Sequence, residues 1–252
     1  MKALVYTGPE AMAFRDADEP KPGDGEVLIK VDAVGICGSD MHAWHGNDER
    51  RPAPLILGHE AAGIVQTGTM TGKRVTVNPL VACMQCDYCK SGRTNLCPGR
   101  QIISMPPREG AFAEYVAMPT RNLVDVPDEI DLQKAALAEP VACSWHAVRL
   151  ADTALFEPIE EARAVVLGGG AIGVAAALSL KAFGCKDIWI AETNTRRHKV
   201  LEAAGPFHVY DPINDVGPQD GSAHIVIDAF GGTKTRALAS TLARPGGVVA
   251  HV

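Results

Sequence analysis

Ten residues constrain this chain more than any others: Ala164-Val165-Val166-Leu167 runs without a break into Gly168-Gly169-Gly170-Ala171-Ile172-Gly173 and then into a further apolar stretch. A buried strand that turns through glycine into an apolar helix belongs to a parallel βαβ unit, and that context gives the glycine pattern its weight over a plain turn. Gly168 permits the tight turn, Gly170 lets the backbone approach a pyrophosphate, and Gly173 allows helix and strand to pack closely. The helix start at Ala171 and Ile172 offers amide N–H groups that intrahelical bonding leaves free, which suits an anion.

Around this run the chain alternates. Strands are expected at Ala164 to Leu167, Asp187 to Ala191, Phe207 to Tyr210, Ala223 to Ala229 and Gly247 to Val252, and helices at Ile172 to Phe183, Arg196 to Ala204 and Thr233 to Ala243. Such alternation implies an α/β fold with a doubly wound, Rossmann-type parallel sheet. Glu192 closes the second of these strands, nineteen residues after Gly173, where a carboxylate would take both ribose hydroxyls of an adenosine and favour NAD. Arg196 and Arg197 read either as a solvated helix start or as contacts to adenine and phosphate that would tolerate NADP. The last strand reads as a buried one, and a chain rarely stops inside such a strand. The expectation is an NAD-binding domain over 151–252 that is incomplete at its C-terminal end, and a protein ending at Val252 is expected to fold poorly and to be inactive.

Residues 1–150 have another texture. Short β-branched runs such as Glu26 to Val31 and Ala62 to Val65, set between Gly and Pro turns, predict a small β-barrel-type domain. Helical segments at Leu132 to Leu137 and Pro140 to Leu150, the second with proline as its first helical residue, join it to the second half of the chain. With 252 residues, 46% hydrophobic and 21% charged, two ordinary domains can each bury a core. A formal net charge of -6 argues against nucleic acid, which calls for clustered Lys and Arg. No stretch suits a membrane span or a secretory leader. The simplest reading is a cytoplasmic enzyme acting on a small molecule, and in that reducing compartment the seven cysteines point to metal rather than to disulfides.

Cys83, Cys86, Cys89 and Cys97 are spaced C-x2-C-x2-C-x7-C in a loop, at about 80–100, with little apolar content of its own. Four thiolates close a tetrahedral zinc shell, and a shell with no open position is structural. The bacterial iron–sulfur run has three residues before its last cysteine, not seven. Outside this lobe, Cys37, His59, Glu60 and Glu139 form a mixed soft and hard set of the kind a catalytic zinc uses, with one position left for substrate oxygen.

Taken in order, CGSDMH, GHEAAG, the four-cysteine loop, GAFAEYV, EPVACSWHAV and GGGAIG resemble the zinc-containing medium-chain alcohol and polyol dehydrogenases over essentially the whole chain. The resemblance implies a GroES-like catalytic domain at 1–150, two zinc ions per subunit, and NAD as cofactor. It implies Cys37 and His59 as catalytic zinc ligands, Glu60 as a ligand or one that exchanges with water, and Asp40 as the group that orients the His59 ring. Glu139, followed by Pro140, resembles the sorbitol dehydrogenase pattern, in which the glutamate meets zinc directly or through its water, so a polyol is the leading substrate. Cys143 is read as packing. Zinc would polarise the substrate hydroxyl, whose carbon passes hydride to the nicotinamide; Ser39 would take the proton and His42 would deliver it to solvent. Trp44 and Phe112 are candidate pocket walls, with core packing as the alternative.

Three rivals remain in view. A threonine-type or sugar-phosphate alcohol dehydrogenase would share scaffold and chemistry; a catalytically silent zinc-stabilised binding protein would not need Ser39 and His42; a zinc-free quinone reductase would lack the ligands. The resemblance also implies a homodimer or homotetramer.

Overall fold

The short β-branched runs of the first half pair antiparallel, whereas those of the second half pair parallel, and the chain divides accordingly. The computed structural model describes Met1–Val252 as two compact units, Met1–Glu139 and Pro140–Val252. The division falls eleven residues before the boundary expected at 150/151, because helical residues after Glu139 pack with the second unit.

In chain order the first unit holds β1 (Lys2–Gly8), β2 (Ala11–Asp16), β3 (Glu26–Gly35), α1 (Gly38–Trp44), β4 (Leu55–Ile56), β5 (Glu60–Val65), β6 (Arg74–Val77), β7 (Leu80–Val81), α2 (Asp87–Lys90), β8 (Gln101–Ile102), β9 (Tyr115–Pro119), β10 (Leu123–Asp125) and α3 (Leu132–Ala135). Its main sheet runs β10-β6-β5-β3-β9, a smaller one runs β2-β1-β4, and β7 pairs with β8. Val27, Ile29, Val65, Val75 and Met118 are buried in one cluster, and alternation along β3 places every second side chain there. The register matters for the site: β3 and β5 pair from Ile29↔Val65 to Gly35↔Glu60, so the strand that ends just before Cys37 delivers its last residue opposite Glu60.

From the unit boundary onward come α4 (Ala138–Ala154), β11 (Arg163–Leu167), α5 (Ala171–Ala182), β12 (Asp187–Ala191), α6 (Thr195–Ala204), β13 (His208–Tyr210), β14 (Ala223–Asp228), α7 (Thr233–Leu242) and β15 (Ala243–His251). The five strands form one parallel sheet in the order β13-β12-β11-β14-β15. Ala164, Val165, Val166 and Leu167 are at most 1% exposed, the double-sided burial that a central parallel strand requires. The chain leaves β11 to one side for β12 and returns on the other for β14, and ligands of such sheets bind at the carboxyl ends where the order reverses.

Three local expectations shift. The helix expected at Leu132 to Leu137 is the single turn α3, capped by Asp131 accepting from the Lys134 amide at 2.6 Å. Pro140 is the third helical residue rather than the first, still inside the turn whose amides lack acceptors. β15 begins at Ala243, with a register shift opposite β14, ahead of the expected Gly247. No helix is long and apolar enough to cross a membrane.

Candidate metal and dinucleotide sites

Three donors converge at the end of β3 and the start of β5. The thiol of Cys37, an imidazole nitrogen of His59 and a carboxylate oxygen of Glu60 lie within 4.8 Å of one another. Cys37 caps α1, and the Asp40 carboxylate folds back to accept the Cys37 amide at 3.0 Å while its other oxygen accepts from Gly58 at 3.1 Å. Asp40 is 2% exposed. One carboxylate thus ties the residue before α1 to the residue before His59, and its Oδ1 stands 3.6 Å from His59 Nδ1. Gly35 leaves room for the third donor, since a Cβ there would strike Glu60 Oε2.

The charges suit a cation. Burial pushes the Cys37 thiol up, yet hydrogen bonds from His59 and Ser39 outweigh it and lower its pKa, favouring the thiolate that ligates metal. Burial opposes the charge on His59, but Asp40 and Cys37 raise its pKa to about 10; a metal would take the place of that proton. Burial and then the nearby Glu139 charge raise Glu60 above the ordinary carboxylate range. A thiolate crowded by two carboxylates is a donor set that a divalent ion would complete, and sulfur, nitrogen and oxygen are the ligands catalytic zinc takes. Glu139, half-buried in the first turn of α4, lies outside the three-donor set and approaches it through its charge on Glu60. Ser39 lies in α1 beside Cys37, and His42 is exposed on the same helix. Trp44 and Phe112 border a 770 Å³ cavity with Asp40 and Met41 that the three donors do not line, and the Phe112 ring fills the space a Gly58 Cβ would need.

The second cluster is closed. Cys83, Cys86, Cys89 and Cys97 place four sulfurs within 4.8 Å, with Cys86 and Cys89 3.5 Å apart and Cys83 and Cys89 4.0 Å apart. Sulfurs ~2.3 Å from a tetrahedral zinc stand ~3.8 Å from one another, so the spacing fits the ion. The Gln85 and Cys86 amides hold Cys83 down at about 6, while burial pushes Cys89 up to about 12; thiols this close ionise together only around a cation.

In the second unit, Gly168 takes φ +100°, and a Cβ on Gly173 would strike the Gly168 carbonyl, so both glycines serve the turn. A Cβ on Gly170 would meet no atom within 4 Å, leaving the open cradle a pyrophosphate could fill. Ala171 and Ile172 open α5, whose first internal bond runs from the Val174 amide to the Gly170 carbonyl at 2.9 Å. Glu192 is buried; it accepts from Gly169 at 2.9 Å and from Asn194 at 2.7 Å, and pairs with Arg197 at 3.1 Å. Burial opposes its ionisation, and these donors outweigh burial and lower its pKa. Glu192 therefore fastens the glycine turn to β12 as well as facing a 360 Å³ cleft that Gly168, Gly170 and Arg197 also line.

Sequence reasoning does not find two residues near His59, Ser104 and Arg51. Neither stands in a motif, and the contacts that bring them to the site, Ser104 to His59 and Arg51 to the Ser104 carbonyl, span 45 and 53 residues, so no local signal points to them.

Residues 23–128 match the alcohol dehydrogenase GroES-like domain family. The whole chain aligns with L-galactonate-5-dehydrogenase of Escherichia coli (strain K12), 39% identical and covering 76% of that protein. Sorbitol dehydrogenase of Bacillus subtilis (strain 168) is 36% identical over 83% of this chain and 60% of its own length. Among solved structures, a zinc-binding dehydrogenase of Sinorhizobium meliloti 1021 bound to NADP superposes with TM-score 0.88 at 30% identity, over 99% of this chain and 75% of the other. A protein of Escherichia coli CFT073 described as a short chain alcohol dehydrogenase, complexed with NADH, gives TM-score 0.88 at 26% identity, over 100% of this chain and 75% of the other.

Proposed function

Because this chain belongs to the zinc-containing medium-chain alcohol and polyol dehydrogenase family, we propose that it moves a hydride between NAD and a secondary hydroxyl of a polyol or a polyol-like sugar acid. The observation that carries this reading is the convergence of Cys37, His59 and Glu60 within 4.8 Å. Cys37, His59 and Glu60 would hold a zinc ion there, which would supply Lewis acidity toward the substrate oxygen, and NAD bound at the glycine turn would supply the hydride acceptor.

The chain's own residues do the rest. Asp40 fixes the His59 ring; Ser39, two residues after Cys37, takes the hydroxyl proton, and exposed His42 passes it to water. Glu139 supplies a further carboxylate beside Glu60. Cys83, Cys86, Cys89 and Cys97 hold a second, structural zinc. Gly168, Gly170, Ala171, Ile172 and Gly173 take the pyrophosphate and Glu192 the adenosine ribose, with Arg197 beside it. The cytoplasm is the proposed location, where cysteines hold metal rather than pair as disulfides, and a homodimer or homotetramer is the proposed assembly.

The test is NADH formation by zinc-replete protein against sorbitol, xylitol, galactitol, L-galactonate, their phosphates, threonine and simple alcohols. Turnover of one polyol or aldonate, lost in folded Cys37→Ala and Glu139→Ala, supports the proposal. Turnover confined to threonine or to a sugar phosphate transfers it to those substrates. Silence across the panel in full-length, zinc-loaded protein favours the binding-protein reading.

A further inference from the structure

Ser104 stands out on three counts. It is fully buried, at 0% exposure; it is a non-glycine residue at φ +68°; and its hydroxyl lies 3.3 Å from His59 Nδ1. An L side chain seldom adopts that backbone conformation, and glycine would adopt it more easily, so a buried serine here directs attention to what its hydroxyl does. The neighbouring chain pins the residue in place, for the Ile103 amide donates to the Pro79 carbonyl at 3.2 Å and the Arg108 amide to the Met105 carbonyl at 2.8 Å.

A buried guanidinium completes the arrangement. Arg51 is 3% exposed and donates from Nε to the Ser104 carbonyl at 3.0 Å. From Nη1 it donates to the Ser39 carbonyl at 3.3 Å and to Asp48 Oδ2 at 2.6 Å. A charge that deep persists only where it is paired and its donors are used, and here two of those donors grip the turn that carries Ser104 and the helix that carries Ser39. The Asp40 contact to the same ring nitrogen is longer, at 3.6 Å, past ordinary hydrogen-bond length, and both Asp40 oxygens already serve backbone amides.

We propose that Ser104 is a positioning residue for the His59 imidazole, sharing Nδ1 with Asp40, and that Arg51 holds Ser104 at the distance this requires. Asp40 braces the ring from the α1 side and Ser104 from the turn after β8, so the ring is fixed from two directions and its other nitrogen is left for a metal. A ligand held this way loses less freedom on binding an ion, and outer contacts of metal-bound histidines typically govern affinity by roughly 10- to 100-fold. The inference rests on the reading of Cys37, His59 and Glu60 as a metal site.

The experiment measures cobalt(II) affinity and the visible absorption of cobalt at this site in protein whose four-cysteine lobe keeps its zinc. Ser104→Gly removes the hydroxyl and relieves the backbone; Ser104→Ala removes it and keeps the backbone as it is. About a tenfold loss of affinity in both, with a matching change in the cobalt spectrum, supports the proposal. Wild-type affinity and spectrum in both variants overturns it, and so does a loss in Ser104→Ala alone, which would trace to the backbone. Arg51→Lys, which keeps the charge facing Asp48, is expected to weaken cobalt binding in the wild-type background and to add little to Ser104→Gly. An equal added loss in both backgrounds overturns the link through Ser104. Failure of wild-type protein to bind cobalt at this site would sink the metal-site reading itself, an outcome separate from unaltered binding in the variants.

Discussion

Asp48→Asn tests whether the buried pair beneath the metal site contributes stability in the way its geometry implies. The Arg50 guanidinium first, and Arg51 with it, hold the Asp48 carboxyl down at about 2 from an ordinary 3.8. That difference corresponds to at most about 2.4 kcal/mol of native-state stabilisation at neutral pH. Arg50 is 70% exposed and its share is screened by water and salt, so about 1–2 kcal/mol is the working figure. Arg51, with its side chain 2% exposed, retains its share in salt. The folded pKa lies below the unfolded one, so the contribution is complete above about pH 5 and falls as pH drops toward about 2; roughly half is gone by about pH 3. The assay is urea unfolding followed by Trp44 fluorescence, the one tryptophan of the first unit, with Trp145 and Trp189 replaced by phenylalanine. The gap between parent and Asp48→Asn should narrow from pH 7 to pH 3. A gap that stays constant, or widens in acid, would refute the assignment of the stabilisation to an ionised Asp48.

Other perturbations separate roles within each site. Gly170→Ala should leave folding unchanged, because its Cβ meets nothing within 4 Å, yet raise the KM for NAD severalfold; Gly173→Ala should cost about 1–3 kcal/mol in thermal unfolding, because its Cβ meets the Gly168 carbonyl. Gly35→Ala should displace the Glu60 carboxylate and lower retained zinc from two ions to one per chain by metal analysis, with the four-cysteine ion kept. Cys89→Ser should lose the other ion and open 83–99 to protease, since the apolar support there is little more than Ala82, Cys89 and Cys97. Glu192→Gln should loosen the glycine turn and weaken NADH binding in fluorescence titration, while an unchanged affinity would count against its role.

Legibility follows the range of the interactions involved. β12 is legible residue for residue as Asp187–Ala191, and β11 and α5 to within one residue, because a doubly buried parallel strand and a glycine turn are written in adjacent positions. The four cysteines are equally plain, their geometry being set within the short loop from Cys83 to Cys97. α1 is not foreseeable in the same way: Gly38–Trp44 is a short helix without an apolar stripe, and it is held by the Asp40 carboxylate reaching back to Cys37. Ser104 escapes for a related reason, since the hydroxyl meets a ring 45 residues away and a lone serine carries no spacing to count. For Pro140 the first-position preference is only statistical, and two residues precede it in α4.

The four-cysteine lobe begins and ends on neighbouring strands. β7 and β8 are hydrogen-bonded at Leu80↔Ile102 and Val81↔Gln101, and Asn122 steadies the base by donating to the carbonyls of Asn78 and Leu80 at 2.8 Å. The entry and exit of the loop are thus already clasped before any cysteine is reached. In architectural terms the lobe is a cassette mounted on its own two-stranded base, so a change in its length or content is expected to leave the pairing of β7 with β8 and the register of the main sheet as they are.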